Sequence, residues 1–290
     1  TFDVLIVGGG VVGATMALAA TQSGLSVALV DRAEVNCAWP SDAFDTRNYA
    51  LNLASVNLLK HLRVWPKILA MRARPFRGMH VWDAGGKGHI AFDARHIGLT
   101  ELGFIVEQNV LLTAIYAKLG EQDTIGYFSP ATLEKLRLEK SHGQLLLAGG
   151  DSLSAKLVIA ADGRNSQIRQ MAAIGVRTWD AQHHAIVANI RLTHSHQDTA
   201  WQRFLPGGPL AFLPLSDDCC SIVWSTTASQ ADKLTQLSKE LFIASLQDAI
   251  EHRFGRLQLC SETHAFRLAP LHADSYVQHR LCLLGDAAHH

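Results

Sequence analysis

The sequence predicts an α/β fold in which a parallel sheet is interleaved with a largely antiparallel one. Three observations carry this reading. A short apolar run at residues 2–7 stops at Gly8 and gives way to an Ala-rich segment of helical character. Further strands are expected at 153–160, ending in the apolar 157–160, and at 281–284, with the texture of strands buried on both faces. Between them, at 78–93 and 183–226, apolar and polar residues alternate as they do in a half-exposed antiparallel sheet.

Taken in order, Gly8, Gly10 and Gly13 form G-x-G-x-x-G at the first strand-to-helix turn, with Val12 inside the motif. Gly8 permits the tight turn, Gly10 lets a pyrophosphate approach the backbone, and Gly13 lets helix and strand pack closely. The free N–H groups at the helix start then face the phosphates. The motif is weak alone. Here a second apolar strand at 26–30 follows and ends in Asp31, placed to accept hydrogen bonds from a ribose diol, with Arg32 beside it. This predicts a dinucleotide site and leaves NAD or FAD open. The helix is expected over 11–23 with a stop at Gly24. Residues 33–44 carry Pro40 and read as a loop. Residues 45–51 lead into a helix over 55–62, and Arg47 supplies a cation that would offset pyrophosphate charge.

From Gly78 the texture changes to a hairpin-like pair at 79–83 and 89–93. A short strand at 103–106 precedes a helix at 109–119, and 132–147 reads as two strands around a turn at 141–143. A short helix is expected at 165–171, antiparallel strands at 184–191, 209–215 and 220–225, and an amphipathic helix over 231–254 interrupted near Ser238. The expected organisation is discontinuous. Residues 1–77, 100–178 and 262–290 form a Rossmann-like dinucleotide-binding domain, and 78–99 with 179–261 an antiparallel-sheet domain for substrate.

Composition narrows the classes of function. The 26 Lys and Arg balance 26 Asp and Glu, which argues against nucleic acid as a partner. The histidines are scattered and form no ligand spacing, so no metal site is expected. The 5 cysteines are odd in number and lack C-x-x-C spacing, as in reduced cytoplasmic proteins. No stretch reaches transmembrane length, and the chain opens on a core strand rather than a signal peptide.

Two later motifs repeat the first one's logic. Asp162-Gly163 leaves the strand at 153–160, where a carboxylate can accept from cofactor hydroxyls, and Ser166 is placed to cap the helix that follows. Gly285-Asp286 leaves the strand at 281–284 in the same way. In this order the three resemble the flavoprotein aromatic hydroxylases of the para-hydroxybenzoate hydroxylase type, and more closely the ubiquinone-biosynthesis hydroxylase branch. Val7 to Gly13, Val81-Trp82-Asp83, Ala161 to Ser166, Gln182 to Ala185, Phe212 to Asp217 and Gly285 to His289 all carry the likeness.

The resemblance implies an FAD-dependent monooxygenase that hydroxylates the ring of a prenylated phenol with O2 and NAD(P)H through a flavin C4a-hydroperoxide. It implies that Gly8, Gly10 and Gly13 bind the pyrophosphate and Asp31 the adenosine ribose. Arg47, Asp162 and Gly163 would lie along the cofactor, Gly285 and Asp286 at the ribityl chain, and Phe212, Leu213 and Pro214 toward the substrate. No catalytic acid or base is named. The family continues past Gly-Asp-Ala-Ala-His with a Gly-Gln-Gly segment on the isoalloxazine. The stretch ending at His290 is therefore expected to grip the ADP half and to retain FAD weakly. Two departures stand out. Asp31 replaces the more frequent Glu, and Arg267 stands where the family has Pro. A prenyl reductase or halogenase on the same cofactor domain, or a non-catalytic flavin-binding scaffold, remains the alternative. Contact with a membrane surface, other quinone-biosynthesis proteins and a homo-oligomer are partners the resemblance leaves open.

Overall fold

The structure, a computed structural model, describes residues 1–179 and 182–290; residues 180 and 181 of the expected segment 179–261 lie outside the described residues. The chain begins with β1 (Phe2–Val7), α1 (Val11–Gln22) and β2 (Val27–Val30), then β3 (Asn48–Asn52), α2 (Leu53–His61) and α3 (Trp65–Met71). β4 (Arg74–Phe76), β5 (Gly78–Asp83) and β6 (His89–Asp93) follow, then β7 (Gly103–Glu107), α4 (Gln108–Leu119) and β8 (Ile125–Phe128). β9 (Leu133–Leu138), β10 (Gly143–Leu147), β11 (Ser152–Ala160), α5 (Gln167–Met171) and β12 (Val176–Thr178) complete the first part. β13 (His183–Leu192), β14 (Thr199–Leu205), β15 (Gly208–Pro214), β16 (Cys219–Thr227), α6 (Ala228–Thr235) and α7 (Lys239–Ala249) form the second. β17 (Leu257–Leu259), β18 (His264–Leu268), β19 (Leu271–Ala273), β20 (Val277–Gln278) and β21 (Leu281–Leu283) end the chain.

The first sheet runs β20-β21-β11-β1-β2-β8, with β10 and β9 extending from β11. β21, β11, β1, β2 and β8 pair in parallel; the central strands β1 and β2 and the end of β11 are buried on both faces, and Leu5, Ile6, Val27 and Val158 have no exposed surface. α1 and α4 cover one face, where Leu18, Leu111 and Ile115 join β1 and β2 in one core. The second sheet runs β17-β13-β16-β15-β14-β5-β6, with β18 also on β13. Its pairs are antiparallel apart from β14 with β5. Membership of β18 carries this sheet beyond the expected return at residue 262.

Strand alternation gives the second sheet two unlike faces. Ile186, Ile190, Phe212, Ile222 and Trp224 point toward α6 and α7 and pack with Phe242, Leu246 and Phe254. The opposite face turns toward the first half of the molecule. There Ala200, Cys219, Met79 and Leu213 meet Phe76 and Ile105 of the small sheet β3-β7-β4. Among the described residues, no helix is long and apolar enough to cross a membrane.

The interrupted helix resolves into α6 and α7, with the Ser238 side chain accepting from the Leu241 N–H to start α7. The expected cap at Ser166 forms too, its Oγ accepting from the Arg169 N–H at 3.0 Å.

Candidate cofactor cleft

The turn after β1 is fixed by close backbone contact. Gly8 has φ +106°, and a Cβ there would run into the Ala161 carbonyl at the end of β11. A Cβ on Gly13 would run into the Gly8 carbonyl, so α1 sits directly against the turn. At Gly10 the same atom would meet nothing within 4 Å, which leaves the backbone open to a ligand. The Gly9 peptide is held from both sides. Its N–H donates to Asp31 Oδ2 at 2.6 Å, and its carbonyl accepts from the Tyr116 hydroxyl at 2.9 Å. Burial pushes the Tyr116 phenol well above its ordinary value, so it stays a donor. Asp31 Oδ1 accepts from the Ala33 N–H at 3.1 Å. The short Asp side chain is thus drawn onto the turn itself.

A cleft of about 410 Å³ opens over this turn, lined by Gly8, Gly10, Asp31, Arg32, Arg47, Asp162 and Gly163, with Arg164, Asn165 and Gln167 along one wall. Segments more than a hundred residues apart in sequence therefore meet on one concave surface. Asp162 Oδ2 accepts from the Ile168 N–H at 3.2 Å, whereas its Oδ1 is buried with no hydrogen-bond partner among the described residues. Gly163, at φ +79°, has open space where a Cβ would stand.

The Gly285-Asp286 turn lies outside this cleft, at the start of α1. A Cβ on Gly285 would touch the Val12 side chain at 3.1 Å, and Asp286 Oδ2 lies 3.1 Å from His290 Nδ1. Polar groups link the two regions. Arg47 Nη1 and the Tyr49 hydroxyl both donate to Gln108 Oε1, at 3.2 and 3.0 Å. Burial raises the Tyr49 phenol above its ordinary value; Arg47 opposes this, and Asp286 adds to it. The cleft thus carries Asp31, Arg32, Gly8, Gly10, Arg47 and Asp162, and Arg47 connects through Gln108 to Tyr49, whose phenol feels the Asp286 charge.

Two positioning groups escape a reading by motif. Arg169 is 4% exposed; its Nη1 donates to the Ala287 carbonyl and its Nη2 to the Arg164 carbonyl, both at 2.8 Å. It ties the Asp162-Gly163 loop to the Gly285-Asp286 turn. Burial lowers its pKa and the nearby Asp162 carboxylate offsets this. Tyr116 is the other. An arginine is ordinarily exposed, and a tyrosine on a helix is ordinarily core, so neither carries a signal at sequence level.

The structure separates the three residues expected to face substrate. Phe212 is fully buried and packs against Phe254 at a ring-centroid distance of 5.0 Å, on the α7 side of the sheet. Pro214 is buried and shares that side by alternation. Leu213 points the other way, toward the cofactor half. Consecutive strand residues cannot all face one cavity, so Ala211, Val223 and Val187, half-buried on Leu213's side, form the open surface instead. Beside them, Asn189 Nδ2 donates to the Phe44 and Asp45 carbonyls at 3.3 and 3.1 Å, joining this face to the segment that carries Arg47. Arg267 lies opposite His184, on the strand side away from that face. No group of His, Cys, Asp and Glu suited to a metal ion occurs among the described residues.

A glycine turn open at Gly10, an unpartnered carboxylate oxygen at Asp162 and a cation at Arg47 fit an elongated dinucleotide with hydroxyls along its length. Fold and cleft define a protein of the dinucleotide-binding class. The chain matches the FAD binding domain family over residues 1–290. It is 37% identical over 287 residues to the 3-demethoxyubiquinol 3-hydroxylase of Escherichia coli K12, covering 99% of this chain and 73% of that protein. It is 34% identical over 287 residues to the ubiquinone hydroxylase UbiL of Rhodospirillum rubrum, covering 99% of this chain and 66% of that one. The crystal structure of PqsL from Pseudomonas aeruginosa superposes with a TM-score of 0.82 at 21% identity, over 99% of this chain and 79% of PqsL, and shares the fold. The chain belongs to the FAD binding domain family, among the FAD-dependent monooxygenases.

Proposed function

We propose that this protein hydroxylates the aromatic ring of a prenylated phenol in ubiquinone biosynthesis, using O2 and NAD(P)H. The reaction replaces a ring hydrogen by OH from one oxygen of O2. The other oxygen leaves as water, with a hydride from NAD(P)H and one proton completing the balance. The observation that carries this reading is the cleft joining the glycine turn to Asp162-Gly163, set beside a half-buried apolar sheet face.

In this reading the Gly8–Gly13 turn and the start of α1 take the pyrophosphate, and Arg47 offsets its charge. Asp31 and Arg32 lie at the adenosine end. Asp162 offers its free oxygen to a cofactor hydroxyl, Gly163 leaves room beside it, and Val12, Gly285 and Asp286 lie at the flavin end. The chemistry that bound FAD supplies is two-electron transfer and O2 activation. The protein's own part is to hold the ring and keep water away from it, which the apolar face of β13, β16 and β15 serves. That task requires no acid–base pair. Residues 1–77, 100–178 and 269–290 form the cofactor-binding part in this division, and 78–99 with 182–268 the substrate part.

The test is to purify the complete protein. It is expected to be yellow, to oxidise NAD(P)H faster with a prenylphenol present, and to yield a product heavier by one oxygen on mass spectrometry. A colourless protein that takes up no added FAD would overturn the reading.

A further inference from the structure

The open face of the second sheet is larger than a single ring. Register pairs place Val187, Val223, Ala211, Gln202, Val81 and Ile90 side by side across β13, β16, β15, β14, β5 and β6. Five inter-strand steps of about 4.8 Å make this row about 24 Å long. Their neighbours on the other face, such as Ile186, Ile222 and Phe212, have no exposed surface, whereas the row is half-buried and Ile90 is 51% exposed. No charged side chain interrupts it, and Gln202 is its one polar member. At the outer end Phe92 extends it on the edge strand β6, Ile97 is exposed just beyond that strand, and Phe204 is exposed on β14.

We propose that this row is the track for the substrate's prenyl chain. The ring sits over β13 to β15, where Asn189 joins the sheet to the segment bearing Arg47. The tail crosses β14 and β5 and leaves the protein over β6. This rests on the reading under Proposed function. A prenyl chain carries no hydrogen-bonding group, so it is held by displacing water from a continuous apolar floor. The direction follows from the two ends of the row. Toward β18 the register neighbour of Val187 is His264, whereas toward β6 the row ends on the apolar Val81 and Ile90.

The track is tested on the FAD-loaded protein with two phenols, one carrying an octaprenyl tail and one a single prenyl unit. Binding is read by tryptophan fluorescence, independently of turnover. Ile90→Asp, an exposed position that leaves the core intact, is expected to weaken the octaprenyl phenol about tenfold and the single-unit phenol not at all. A photoreactive group at the tail end is expected to label residues 89–99. Equal losses for both phenols, no loss for either, or a label on Phe266 at the opposite edge would each overturn the track. Turnover of the single-unit phenol by the unaltered protein is measured in parallel. Turnover with a misplaced label removes the track alone, and failure to bind or oxidise any phenol removes the functional reading and the track with it.

Discussion

The cofactor cleft and the open face of the second sheet lie side by side but are built on opposite principles. The cleft is made of backbone. Gly8, Gly13 and Ala161 touch at distances that leave no room for a Cβ, and polar side chains such as Asp31 and Tyr116 fix the peptides between them. The open face is made of side chains on a sheet whose rigidity comes from behind, where α6 and α7 seal Phe212, Ile222 and Trp224. A backbone site tolerates few substitutions and recognises a ligand common to many proteins. A side-chain site can change its ligand without disturbing the fold beneath it.

The largest expected effect breaks the sheet from behind. Phe212→Ala removes a ring buried against Phe254 and should cost about 3–5 kcal/mol of stability, read by denaturant unfolding. Val223→Ser, one strand over on the open face, should instead raise KM for the phenol and leave the unfolding midpoint nearly unchanged. If both variants behave alike, the two faces are not functionally distinct.

A smaller effect probes the cleft. Asp162→Ala removes the carboxylate whose Oδ1 has no partner within the chain, and should weaken FAD binding by about 1.5–3 kcal/mol, read by flavin fluorescence titration. The Phe212 variant, once folded, should bind FAD normally. Comparable FAD loss in both would mean that the cleft depends on the second sheet.

The smallest effect concerns the clamp on Gly9. Tyr116→Phe removes one hydrogen bond and should cost about 1 kcal/mol in FAD affinity. The buried phenols of Tyr116 and Tyr49 have pKa values raised by folding. Below the unfolded tyrosine value of about 10 both states hold the proton, and the stability is fully present. As pH rises past that value the unfolded chain ionises first, so stability falls. Tyr116→Phe should flatten that alkaline decline in a pH series of unfolding midpoints.

The cleft was far more legible in the sequence than the open face, for a physical reason. Glycines at 8, 10 and 13 and the Asp-Gly at 162–163 are demanded by backbone geometry, which few other residues satisfy. The buried strands near them announce themselves as unbroken apolar runs. β14 has no such texture, because the polar Gln202 stands on the open face and the charged Arg203 beside Trp201 on the α7 side, so neither face reads as apolar. β3 is short and only half-buried, so it reads as a lead-in to α2. Phe212, Leu213 and Pro214 read as one substrate-facing run, yet a period of two divides them between faces, and a core and a cavity both ask for apolar residues. Arg169 is invisible for the opposite reason, since its partners are carbonyls brought close only by the fold.

The pairing of β1 with β11, and of β11 with β21, also dictates an order of events during synthesis. β1 can pair with β2 once residue 30 has emerged, but it gains β11 only after residue 160, and β11 gains β21 only after residue 283. The antiparallel strands β14, β15 and β16 close locally and can form before β21 is made. Non-local parallel pairing is slow, because the connecting chain must be ordered before the contacts are gained. The edge of the first sheet at β21, with the Gly285-Asp286 turn behind it, therefore joins after the antiparallel strands have formed, so this end of the cofactor-binding half is completed late.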